Sequence, residues 1–153
     1  MDLDQLRAHH AFTYVQGLSG NRSDFLALAR KLPFMLHTNG LLATWAHLLA
    51  KKNERENLLG LQALATHLRA VAARLRLDVA PAGDAPAVFD RWVDPQDGLT
   101  GFALRKNTAE ALAFSVWLKR AAEALCDAGE VKSSSPPANT VETVEDRQEG
   151  PHP

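Results

Sequence analysis

The sequence predicts an all-α protein, a single helical bundle of about five to six helices followed by a disordered C-terminal tail. Three observations predict it. Ala and Leu dominate the apolar residues while β-branched residues are few, a composition that favours helix over strand. Leu58, Leu61, Ala65, Leu68, Ala72 and Leu75 recur at alternating steps of three and four, the stripe of a buried helix face. Leu104, Thr108, Ala111, Ser115, Leu118, Ala122 and Leu125 repeat it, with Phe114 and Trp117 widening the buried face. No alternating strand pattern of useful length interrupts these segments.

The elements follow in order. A first helix runs from about Leu3 to Gln16, with Asp2 placed to cap it and Gly17-Leu18-Ser19-Gly20 to end it. A second starts near Ser23 and carries "DFLALARK", with Pro33 marking a break or a fresh start. The third contains "LPFMLHTNGLLATWAHLLAKK". Its Asn39-Gly40 is the strongest short-range signal for a hairpin turn, yet the flanking residues lack the alternation of strands. Apolar residues on nearly all sides predict a central buried helix, with Gly40 as a point of close packing. A fourth helix spans about Glu54 to Leu77. "DVAPAGDAPAVFDRWVDPQDG", Asp78 to Gly98, reads as irregular, with "PAVFDRWV" able to form a short helix inside it. The fifth helix runs from about Leu99 to Asp127, before Gly129.

Charge divides the chain in two. Of its 17 basic and 18 acidic residues, five acids and two bases fall in residues 130–153, which leaves residues 1–129 with a charge of +2. The tail, "KSSSPPANTVETVEDRQEGPHP", buries too little to offset its ordering entropy and is expected to be disordered; residues 1–129 form the folded domain. The lone cysteine, Cys126, excludes an internal disulfide framework and fits a cytoplasmic protein. No secretion signal is expected, the Asn21-Arg22-Ser23 sequon reads as accidental, and no run approaches the roughly 20 apolar residues needed to span a bilayer.

Catalytic chemistry is sparse. His9 and His10 are adjacent, His37 and His47 are ten apart, and no His-x-x-x-His or Cys-x-x-Cys pair exists, so no metal site is predicted. No phosphate-loop, dinucleotide or nucleophile-elbow fingerprint is present, so no cofactor and no catalytic residue is predicted. Asp90, Asp94 and Asp97 read as turn-forming carboxylates. The basic residues say more. Arg55, Gln62, Arg69 and Arg76 are seven apart, on one line of the fourth helix, and no acid between Asn57 and Leu77 is available to Arg69, Arg74 or Arg76. Such a line is a solvated face, a protein interface or a track for a phosphate backbone. Lys51-Lys52 and Arg105-Lys106 add two doublets near helix ends.

Two segments carry a family resemblance. Leu32-Pro33, then Asn39-Gly40-Leu41 leading to Lys51, is similar to the signature helix of the small α-helical subunit, the fifth Cmr protein, of the type III-B CRISPR effector complex. The second half of that pattern is "NTAEALAFSVWLKRAAEAL", with Thr108, Glu110-Ala111-Leu112, Trp117-Leu118-Lys119-Arg120 and Ala122-Glu123-Ala124. Together with the helix between them they cover most of residues 20–127. Pro33, Asn39, Gly40, Leu41 and Trp117 are the structural marks of the motif. His47 stands where the family usually has a large apolar residue.

The resemblance implies a non-enzymatic subunit of a guide-RNA-directed antiviral complex. Copies would stack on one another along the effector, beside its backbone and large subunits, and accommodate target RNA paired to the crRNA while other subunits cut it. Guide–target pairing would supply specificity, leaving this chain to read backbone and shape. Lys51, Lys119 and Arg120 of the motifs, Arg55, Arg69 and Arg76 of the charge line, and Arg30, Lys31 and Arg105 are the expected RNA-facing residues. Two other classes stay open on the residues alone. One is a free-standing helical DNA-binding regulator, which lacks a short basic recognition helix after a tight turn. The other is a small enzyme using His9, His10 or the loop aspartates.

Overall fold

A computed structural model of the chain describes residues 1–20 and 22–126. Asn21 of the sequon, Asp127 at the end of the expected fifth helix and the tail expected from residue 130 onward lie outside them. Among the described residues there are five helices and no strand: α1 (Leu3–Gln16), α2 (Arg22–Ala50), α3 (Arg55–Leu75), α4 (Ala85–Trp92) and α5 (Gly101–Leu125).

Local chemistry sets most of the ends. At α1 the Asp2 carboxylate accepts from the Gln5 N–H while the Gln5 side chain accepts from the Asp2 N–H, a reciprocal capping box. Asp84 caps α4 through the Ala87 N–H, and Thr100 caps α5 through the Ala103 N–H. α3 ends in a left-handed residue, Arg76, whose following N–H bonds back to the Ala72 carbonyl.

α2 overturns two expectations. Pro33 lies inside the helix without ending it, and the break falls instead at Gly40, where φ is 83° and ψ is 173°. The Thr44 hydroxyl donates to the Met35 carbonyl at 3.1 Å. Nine residues of straight helix span roughly 13 Å, so that bond requires a corner. Asp24, Leu28 and Lys31 of one arm line a common hollow with His47, Leu48 and Lys51 of the other, so the arms fold back on each other as a helical hairpin. Asn39-Gly40 is therefore a turn, though between helices rather than strands. Nor is the segment buried all round: Thr38, Asn39, Ala43, Ala46, His47 and Ala50 are exposed. A Cβ added at Gly40 would meet open space, so its role is conformational and not close packing. The close approach belongs to Gly60 of α3, where an added Cβ would run into the Leu28 side chain of α2.

α5 packs most extensively against α2 and α1, α3 closes the bundle on α2 and α5, and α4 bridges α2 and α3. The core gathers Phe25, Leu36 and Trp45 of α2, Leu64 of α3, Trp92 of α4 and Phe114 of α5, all at most 2% exposed. Fully burying each such side chain is worth about 1.5–3 kcal/mol. The Asp78–Gly98 segment is part of this core. Trp45 and Trp92 meet edge-on with ring centroids 4.8 Å apart, and the Trp45 indole donates to the Ala85 carbonyl at 3.1 Å. The Asp78 carbonyl accepts from both Trp92 and Asn107, pinning the start of the segment to α4 and α5.

Candidate nucleic-acid interface

The basic line expected along α3 does not survive as a line. The Arg69 guanidinium donates to the carbonyls of Ala80 and Gly83, so the connection between α3 and α4 lies across the middle of it. Asp84 lines the same hollow but caps α4, and backbone carbonyls take the Arg69 donors. Arg69 is a clamp on that connection, and Arg55 and Arg76 stand at opposite ends of α3, 21 residues apart.

Other expected residues are also engaged within the chain. Arg30 donates to Glu123 at 3.1 Å across α2 and α5. Lys31 and Lys51 are exposed and brought together in the hollow of the α2 hairpin, but Asp24, Glu54 and Glu56 line it with them and offset their charge. Arg120 lies over the Trp117 ring at 4.8 Å, and Trp117 donates to Asp4 of α1 at 3.0 Å, while Lys119 is half-buried. Arg55 is exposed beside Tyr14, whose hydroxyl donates to the Leu59 carbonyl; burial pushes that phenol up to about 12, with Arg55 opposing.

What the structure does bring together is one end of the bundle, where α3 finishes and α5 begins. The Lys106 ammonium donates to the Arg76 carbonyl at 3.0 Å, and Arg74 donates to the Met1 carbonyl at 3.0 Å. Arg76 and Arg105 are exposed. Among the described residues no carboxylate pairs with Arg74, Arg76, Arg105 or Lys106. Two of the acids that follow α3 in the chain are engaged elsewhere. Asp78 pairs with Arg91 at 3.0 Å. Asp94 accepts from the Asp97 and Gln96 N–H groups, which hold its carboxyl below the usual range. Asp94 thus has the turn-forming role expected of the three aspartates, whereas Asp90 lies inside α4 rather than in a loop. Phe102 sits at the same end, 66% exposed, with the Lys106 ammonium 5.5 Å from its ring centroid.

The family model for CRISPR-associated protein (Cas_Cmr5) matches residues 3–125. The chain belongs to that family, the small subunit of the type III-B Cmr complex. No curated protein and no solved structure matches it. The matched span takes in all five helices and both sequence motifs, so the Cmr small-subunit core is the bundle itself. Among the described residues no helix is long and apolar enough to cross a membrane, and no group of three or more His, Cys, Asp or Glu side chains is placed to hold a metal ion.

Sequence reasoning missed one polar feature of this Cmr subunit. Glu110, inside the second motif, accepts from Arg7 at 2.6 and 2.9 Å and bonds His67 Nε2 at 2.8 Å. His67 stacks flat on Phe114 with centroids 4.1 Å apart, and its Nδ1 meets His10 Nδ1 at 2.8 Å. Burial pushes the Glu110 carboxyl up, but the bonds and charges of Arg7 and His67 more than offset it and hold it below its usual range. Burial, with the neighbouring His67 and His9, holds His10 below the usual histidine range. The signal available was Glu110 at a core position of the α5 stripe's own helix turn, where a carboxylate needs a partner.

Proposed function

We propose that this chain is a non-catalytic, cytoplasmic subunit of the Cmr complex that stacks along the effector against its neighbours and holds crRNA-paired target RNA by its phosphates. The observation that carries this reading is the basic end of the bundle, whose cations pair with no carboxylate among the described residues. Lys106 joins α5 to the end of α3 at Arg76, with Arg74 and Arg105 in the chain beside them, none paired with a carboxylate among the described residues, and guanidinium groups there suit phosphate oxygens. Lys31, Lys51, Arg55, Lys119 and Arg120 are secondary positions, since their charge is shared with acids or aromatic rings or stands apart from that surface. The non-catalytic reading draws support from Glu110 and His67, which are at most 4% exposed and bonded within the chain to Arg7 and His10.

The test is a salt titration on the reconstituted complex. The Arg76→Glu/Arg105→Glu variant should assemble normally but bind target RNA more weakly, with the slope of log affinity against log salt flattened by roughly 1.5–2. Affinity and slope both equal to those of the unaltered complex would remove the assignment.

A further inference from the structure

Phe102 has no structural task that explains its position. It opens α5 one residue after Gly101, leaves two thirds of its surface to water, and is one of four exposed large apolar residues among those described. Arg105 and Lys106 follow it at three and four residues, which puts all three on one helix face. Lys106 reaches from that face both to the Arg76 carbonyl and toward the ring. An exposed aromatic set among cations is the arrangement by which proteins bind single strands: the cations follow the backbone and the ring takes a base. The core of a protein-docking patch is depleted of lysine, whereas the Lys106 ammonium stands 5.5 Å from this ring.

We propose that Phe102 is a stacking platform for an unpaired nucleobase, so that this end of the bundle adds a base contact to its phosphate contacts wherever the bound RNA leaves a nucleotide unpaired. The proposal rests on the phosphate-contact reading of the same surface. Arg76 and Arg105 hold the phosphates on either side, and the ring, already facing a cation, offers its free surface to a base released from pairing. In a duplex every base is stacked within the helix and none is available to the ring.

The full chain is titrated against a short labelled oligoadenylate, an abasic oligomer of equal length and an RNA duplex. Phe102→Leu should weaken oligoadenylate binding by roughly 5-fold or more, leaving the abasic oligomer, the duplex and the salt slope unchanged. Phe102→Trp should restore or tighten it. Unaltered oligoadenylate binding by Phe102→Leu overturns the stacking role, and if Arg76→Ala/Arg105→Ala still weakens every RNA, the phosphate reading stands without it. A chain that binds none of the three RNAs, or an Arg76→Ala/Arg105→Ala variant that binds all as before, overturns both.

Discussion

Gly40 holds a backbone conformation, positive φ with ψ near 180°, that is essentially closed to residues with a Cβ. Open space around it separates two explanations of its presence. If packing excluded a side chain, Ala would be tolerated better than Leu. Because the backbone itself excludes one, Gly40→Ala and Gly40→Leu should each cost about 1–3 kcal/mol, by similar amounts. Chemical denaturation of the two variants checks this; an Ala variant as stable as the parent would show that the corner can be remade without glycine. Asn39-Gly40 was legible as a turn signal and its flanks as helix. The sequence reading set the two against each other, though an αα corner satisfies both. The Thr44 hydroxyl that closes the corner on Met35 is 1% exposed, and no local pattern announces a contact nine residues back.

α1 is attached to the bundle through polar groups as well as packing. Arg7 reaches Glu110 of α5, His10 reaches His67 of α3, and Tyr14 reaches the Leu59 carbonyl, three successive turns of one helix. This makes its docking acid-sensitive. His10 is held below its ordinary value, so the unfolded chain takes up a proton first and stability falls as pH drops through about 6.5. Glu110 is also held low, so its contribution is present above the carboxylate range and is lost as pH falls through it. Both act in the same direction. The melting midpoint should therefore decline between about pH 7 and pH 5.5 and again below about pH 4.5, and His10→Gln should flatten the upper limb alone. A midpoint constant across the upper range would contradict the assignment to His10. The ends of α1 were readable because capping is a local code. The Arg7–Glu110–His67–His10 chain joins residues up to 103 positions apart, and pairing at that distance leaves no trace in spacing.

At the scale of the whole molecule, the helices and their order were readable from periodicity, and the family from two motifs. The basic end proposed to face RNA was not. Arg69 sits in register with Arg55 and Arg76, but register on one helix says nothing of what another segment lays over it. The basic end forms only because α3 and α5 bring Arg76 and Lys106 together, 30 residues apart. The segment that covers Arg69 also carries Trp92 to Trp45, two indoles almost perpendicular at 71°. Ring transitions held that close and that crossed couple to each other, which should leave a paired positive and negative band on the circular dichroism of the helices. Trp92→Phe should erase the pair while the helical signal persists, and a spectrum unchanged by that substitution would show that the rings do not couple. The bundle thus carries an optical gauge of one event, the seating of α4, which can be followed in solution without a label.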